Sequence, residues 1–170
     1  MSAFVLDLGQ LSQGSSRVRV TADAPQIGLA PEAWPGQVLG EFLVERSGER
    51  ISVRGRVRGV AWLECVRCLK RFESAMDVPF EVFADRSGTG KRRDEVELER
   101  DDYMLFHDGR RLDVSEPVRE TLLLELPIAA YCREDCRGLC PRCGADLNEG
   151  PCGCLDPIEV EGTPATPTRR

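Results

Sequence analysis

The sequence predicts an α+β protein: a mainly antiparallel β-sheet with a C-terminal helix and a cysteine-rich zinc-binding module. Three observations predict it. Apolar and polar residues alternate through much of the first half, helical spacing occurs between Glu116 and Pro127, and six cysteines crowd into Cys132 to Cys154 while Cys65 and Cys68 form a separate C-V-R-C pair. A chain of 170 residues suffices for one domain with a proper core and a small metal-held appendage. The expected divisions are residues 1–126 for the β core and its flanking helix, 127–157 for the zinc module, and 158–170 for a disordered tail.

The first strand is expected over Ser16 to Asp23, where Val18 and Val20 face one way and Arg17 and Arg19 the other. Pro25, Pro31 and Pro35 make the stretch from Pro25 to Gly36 a loop or edge crossing. Val38 to Glu45 and Ile51 to Val66 then read as a hairpin about the turn Arg46-Ser47-Gly48-Glu49. Within the long second strand the odd positions are apolar or small. Gly55 and Gly59 share that inward face, where they would allow a bend or the close approach of another element. A third strand, Ala75 to Ala84, follows a reversal built by Arg67 to Arg71. The charged segment Asp85 to Asp102, with Gly88 and Gly90, predicts a mobile loop. A helix is expected from about Glu116, with Ser115 as N-cap and Pro117 in its first turn; Val118, Leu122 and Glu125 recur at helical spacing, and Pro127 stops it.

The net charge of −6 argues against a surface that grips nucleic acid everywhere. The charge is unevenly spread: eight basic residues face three acidic ones from Val44 to Phe72, whereas fourteen acids face eight bases from Asp101 onward. A nucleic-acid surface is therefore expected in the first half. Ala3 to Leu6 is too short, and lacks the preceding basic residues, for a secretory signal. Runs such as Leu122 to Leu124 are far too short to span a bilayer. These features predict a cytoplasmic protein with no membrane partner. In that reducing compartment, clustered thiols point to metal rather than disulfides.

Eight cysteines are enough for two tetrahedral sites. Six follow the spacing C-x3-C-x3-C-x2-C-x8-C-x-C, in which Cys140-Pro141-Arg142-Cys143-Gly144 has the form of a zinc knuckle: two thiolates reach one ion, and glycine tolerates the positive φ of the turn. The pair Cys65 and Cys68 has the same gap without the glycine. The count alone does not fix the partition. The preferred one sets Cys140, Cys143, Cys152 and Cys154 as a local site and joins Cys65 and Cys68 to Cys132 and Cys136. The second site must close the 63 residues between Cys68 and Cys132, which costs about 4 kcal/mol. A structural zinc supplies about 10–16 kcal/mol in peptides, so one or two structural zinc ions are expected. C-V-R-C lacks the helix N-terminus of a thioredoxin-like redox pair. An iron–sulfur cluster could use four of the sulfurs, and a catalytic zinc would normally recruit other ligands and keep a position open.

The segments E-C-V-R-C-L-K-R-F and L-P-I-A-A-Y-C-R-E-D-C-R-G-L-C-P-R-C-G-A-D-L-N-E-G-P-C-G-C closely resemble the bacterial YceD family of large ribosomal RNA subunit accumulation proteins. V-L-D-L-G-Q-L near the start and the strand V-R-G-x-V-R-G-V are similar to its actinobacterial-type members. The resemblance implies a role in the synthesis, processing or stability of 23S ribosomal RNA. In that family the gene commonly stands beside that of a zinc-binding ribosomal protein of the large subunit, so the resemblance implies ribosomal RNA or a large-subunit ribosomal protein as the partner.

Arg54, Arg56 and Arg58 are expected on one face of one strand at about 7 Å intervals, close to phosphate spacing along an extended single strand. Trp62 continues that face and could stack on a base, and Arg17 and Arg19 could extend it. The competing reading is an ordinary solvated sheet face. His107, in Phe106-His107-Asp108-Gly109, reads as a solvated loop histidine. The acidic run Asp94 to Asp102 reads as solvated too. No phosphate-binding glycine loop and no nucleophile–base pair appears. The expectation is a non-enzymatic protein with no small-molecule substrate, and the alternative is a zinc-dependent module binding a basic ribosomal protein without RNA contact.

Overall fold

Alternation in the first half becomes a five-stranded sheet. The computed structural model describes residues 4–86 and 104–154. Its strands are β1 (Val5–Asp7), β2 (Gly14–Asp23), β3 (Gln37–Ser47), β4 (Arg50–Glu64), β5 (Arg71–Arg86), β6 (Met104–His107) and β7 (Arg111–Asp113), followed by helix α1 (Ser115–Leu124). The large sheet has the order β2-β3-β4-β5-β6, and β1 pairs with β7 in a second, two-stranded sheet. β1 with β7, β2 with β3 and β3 with β4 pair antiparallel, whereas β5 and β6 run parallel. The chain divides into two compact units. The first comprises Met1–Leu63 and Arg71–Ile128, and the second Glu64–Lys70 and Ala129–Arg170.

In the first unit the inward residues Val38, Phe42, Val44, Val53, Val57, Val78, Phe80 and Val82 are buried, as period-two patterning requires. The two-residue turn Gly48-Glu49 joins β3 to β4, and Gly48 has φ +63°, the positive φ that the first central residue of such a turn calls for. Gly55 stands opposite Phe42. A Cβ built there would meet the Glu41 carbonyl oxygen, with Phe42 Cα 2.9 Å away. Glycine is thus required for the two backbones to approach as they do.

The Pro-punctuated stretch does more than cross an edge. Ala24–Ile27 forms a 3-10 turn, and Ile27, Leu29 and Trp34 are buried in the core. Helix α1 lies against this turn and β5, burying Pro117, Val118 and Leu122, while the partly buried Leu126 packs against the core. Ser115 was expected to cap this helix, but it is the first helical residue. Its hydroxyl accepts the N–H of buried Phe4 at 3.0 Å, and its own N–H goes to Asp113 Oδ1 at 2.9 Å. The buried Phe4 donor needs a partner, and the hydroxyl supplies it.

His107 is also placed differently from the solvated loop position expected of it. It is buried in β6. Gly109 N–H donates to Nδ1 at 3.0 Å, so the ring proton sits on Nε2 and is donated to the Glu49 carbonyl at 2.8 Å. The imidazole thereby ties the β3–β4 turn to the β6–β7 turn. The segments expected to be a mobile loop, beyond Arg86, and a disordered tail lie outside the described residues, as do the acidic residues Asp94 to Asp102. Among the described residues no helix is long and apolar enough to cross a membrane.

Candidate metal centre

The second unit is built from two stretches far apart in sequence, and all eight cysteines fall in it. Their sulfurs gather into two groups, Cys65, Cys68, Cys132 and Cys136 in one and Cys140, Cys143, Cys152 and Cys154 in the other, each with all sulfurs within 4.8 Å of one another. In the first group Cys65 Sγ lies 3.8 Å from Cys136 Sγ, and Cys68 Sγ 3.7 Å from Cys132 Sγ. A tetrahedron with metal–sulfur bonds of about 2.3 Å has edges of about 3.8 Å. Each set has the donors and dimensions to hold one tetrahedral ion.

Both C-x2-C turns share one hydrogen-bond frame. Cys65 N–H donates to Lys70 O at 2.9 Å and Leu69 N–H to Cys65 O at 2.8 Å; Cys140 N–H donates to Ala145 O and Gly144 N–H to Cys140 O, each at 2.8 Å. The frame places a positive φ after the second cysteine, +73° at Gly144 and +60° at Leu69. Leu69 is the only non-glycine residue with positive φ among those described. The sequence concealed this equivalence, since a positive φ is ordinarily read from glycine. An L-residue bears a cost of about 1–2 kcal/mol in this conformation. The half-exposed Leu69 side chain has little burial to offset it. Leu69→Gly should therefore be neutral to stabilising, by up to about 1 kcal/mol after the entropy lost from the unfolded chain. Denaturant unfolding checks this, and clear destabilisation would show that the Leu69 side chain holds the turn.

Electrostatics within each set favour a cation. Burial is the largest influence on Cys65 and pushes its thiol up, but the N–H groups of Cys132, Cys68 and Arg67, with the Cys68 thiol, outweigh it and hold Cys65 down at about 6. For Cys140 the N–H groups of Cys143 and Arg142 dominate, helped by the Cys152 thiol, and hold it at about 6. Their neighbours move oppositely. Burial and the sulfurs of Cys68, Cys136 and Cys65 push Cys132 up to about 12, while the Cys143 sulfur and burial push Cys154 up to about 11. In each set the backbone stabilises one thiolate while burial and the neighbouring sulfurs oppose ionisation of another, a conflict that a bound cation removes.

Arg67 supports the first set from behind. Its Nη1 donates to Cys136 O at 2.9 Å, its guanidinium lies 4.7 Å from the Tyr131 ring centroid, and its carbonyl accepts Leu139 N–H at 3.1 Å. Gly138 allows that approach: with φ +76°, any Cβ there would sit 2.8 Å from Arg67 O. Val66 N–H donates to Ala130 O at 2.9 Å.

The arginine face belongs to the first unit. Arg54 pairs with Glu81 at 2.7 Å and Arg56 with Asp77 at 2.6 Å; Arg58 joins Asp77 at 3.3 Å and Glu41 at 3.0 Å, and Arg19 reaches Glu41 at 2.9 Å. Arg56 above all holds the Asp77 carboxyl below its ordinary value. On this outer face β2 contributes Arg17, Arg19 and Asp23; β3 Glu41 and Glu45; β4 Arg50, Arg54, Arg56 and Arg58; and β5 Arg71, Glu73, Asp77, Glu81 and Asp85. Five of these arginines, Arg19, Arg50, Arg54, Arg56 and Arg58, are ion-paired with Glu41, Asp77, Glu81 or Asp85. The ladder exists as a row, but its charge is balanced by acids on neighbouring strands, which sequence alternation within one strand cannot reveal. Trp62 is half-buried, with the Arg71 guanidinium 5.5 Å from its ring centroid.

Residues 53–162 match the family model described as "Large ribosomal RNA subunit accumulation protein YceD". An uncharacterized protein of Mycobacterium tuberculosis (strain ATCC 25618 / H37Rv) is 35% identical over 113 residues, covering 65% of this chain and 52% of the relative. Two plant relatives are named large ribosomal RNA subunit accumulation protein YCED homolog 1, chloroplastic. The one from Zea mays is 28% identical, covering 92% of this chain and 62% of that protein; the one from Arabidopsis thaliana is 26% identical, covering 88% and 54%. The chain spans about half the length of the mycobacterial relative. No solved structure matches.

Proposed function

Since the chain belongs to the YceD family, we propose that it is a ribosome biogenesis factor needed for 23S ribosomal RNA to be made, processed or retained, acting without catalysis through contact with that RNA or a large-subunit ribosomal protein. The observation that carries this reading is that the matched residues 53–162 include all eight cysteines and both four-sulfur sets. Zinc is the ion we assign to them, because it accepts four thiolates at tetrahedral geometry and needs no redox partner. Its contribution when bound is to neutralise and cross-link the sulfurs; the residues around it provide the surface that a partner meets.

The ion pairing of Arg54, Arg56 and Arg58 favours protein over RNA as the direct contact of the first unit, because a phosphate would have to displace a carboxylate already in place. Affinity purification of the tagged full-length chain with and without nuclease tests the choice. A large-subunit protein should remain after nuclease treatment, and Arg54→Glu with Arg56→Glu should leave recovery of ribosomal RNA unchanged. RNA protected on the protein, with recovery lost on charge reversal and falling steeply with salt, would return the arginine face to an RNA role. If cells lacking the chain kept normal 23S ribosomal RNA levels, the biogenesis reading itself would fail.

A further inference from the structure

Asn148 lies between Cys143 and Cys152 of one sulfur set, yet its side chain reaches the other. Oδ1 accepts Arg137 N–H and the Arg133 guanidinium, both at 2.8 Å. These donors fix the orientation of the amide. Nδ2 is consequently turned toward Asp146 Oδ1 at 2.7 Å and Cys136 Sγ at 3.5 Å. The same loop is held beside the first set elsewhere: Leu147 N–H donates to Gly138 O at 2.9 Å, and Lys70, two residues beyond Cys68, reaches Asp146 at 2.6 Å and Glu149 at 3.1 Å. Lys70 and Asn148 N–H hold the Asp146 carboxyl down at about 2.

We propose that Asn148 is a positioning residue that makes the two metal centres cooperative: closing Cys140, Cys143, Cys152 and Cys154 around an ion presents the Asn148 amide to Cys136 Sγ and so tightens metal binding by Cys65, Cys68, Cys132 and Cys136. The inference rests on the assignment of a metal ion to each set. Physically, an N–H donated to a coordinating thiolate spreads its charge and fixes its direction, and losing such support typically costs about 10–100-fold in metal affinity. The loop can offer that donor only when ordered. The centre within 15 residues of chain, Cys140 to Cys154, orders it at small closure entropy. By reciprocity, an ion in the first centre must tighten the second by the same factor.

The test uses the apo full-length chain titrated with Co(II), whose thiolate charge-transfer band reports tetrahedral sulfur coordination, in competition with a chromophoric chelator. Cys136→Ser and Cys152→Ser isolate the second and the first centre. The first centre should bind about tenfold or more weakly in Asn148→Ala and in Cys152→Ser, and combining the two should add little further loss. Asn148→Ala in the Cys136→Ser background should leave the second centre unchanged. Asn148→Asp keeps the acceptor for Arg137 and sets an anionic oxygen against Cys136; it should weaken the first centre at least as much and shift its charge-transfer band. First-centre affinity within about twofold of wild type in Asn148→Ala and Asn148→Asp, or losses that simply add, overturns the coupling while leaving two metal sites standing. A wild-type chain that takes up fewer than two ions overturns the metal assignment and the coupling with it.

Discussion

Cys65→Ser should reduce bound zinc from two ions per chain to one at saturating metal. Cys65 is fully buried, so no solvent oxygen replaces the lost sulfur at low cost, and a serine hydroxyl is a harder and far less acidic ligand than a thiolate. Its sulfur is also the one that the N–H groups of Cys132, Cys68 and Arg67 stabilise as an anion. The three remaining thiols are then left crowded without their best ligand. A structural zinc contributes about 10–16 kcal/mol to folding in small peptides. Losing it should leave the second unit several kcal/mol weaker and held by its remaining centre, while the first unit retains its own core of Val53, Val57, Val78 and Leu122. Metal analysis per chain and two separated thermal transitions read this out. A count that stays at two, or falls to zero at saturating zinc, would contradict the division into two separate four-sulfur ligand sets.

Gly55→Ala should lower stability by about 3 kcal/mol, which for a chain of this size is a fall in Tm of roughly 6–12 °C. The new methyl group would be driven into the Glu41 carbonyl and would lie 2.9 Å from Phe42 Cα. Both obstacles are backbone, so no side-chain rotation relieves them, and Phe42 anchors the core through its ring contacts with Phe4 and Phe80. Gly59→Ala is the internal control. It lies on the same strand, but its nearest neighbours are Val38 Cγ2 at 3.6 Å and Trp34 Cζ3 at 3.7 Å, ordinary contacts that predict little change. Equal melting temperatures for the two variants would show that β3 can withdraw freely, and zinc content should stay at two in both.

Local patterns made the β3–β4 hairpin and the core of β5 readable from sequence. Alternation fixes which face is buried, and Gly48 marks the turn. Strands β1 and β7 have three residues each and pair across more than a hundred positions, too short for alternation to register and too distant for a turn to announce. The parallel addition of β6 to β5 is equally non-local. His107 was misjudged because Asp108-Gly109 marks a turn immediately after it, while the carbonyl that retains it belongs to Glu49, 58 residues away. At the cysteines, spacing suggested the grouping of sulfurs. It could not reveal that Leu69 adopts the conformation of Gly144, or that Asn148, which resembles any turn-forming asparagine, leans across to Cys136. The arginine row was visible in one strand, whereas its neutralisation came from Asp77 and Glu81 in another.

A unit assembled from the two stretches Glu64–Lys70 and Ala129–Arg170 cannot be completed in the order in which the chain is made. Cys65 and Cys68 leave the ribosome while Cys132 and Cys136 are still unwritten. With 63 residues to be added between Cys68 and Cys132, and synthesis at roughly 5–20 residues per second, the early pair waits about 3–13 s for its counterparts. The other four sulfurs arrive almost together. For that interval the nascent β4–β5 turn carries two bare thiols with nothing to close on, so reducing surroundings during synthesis are a condition for making this protein correctly.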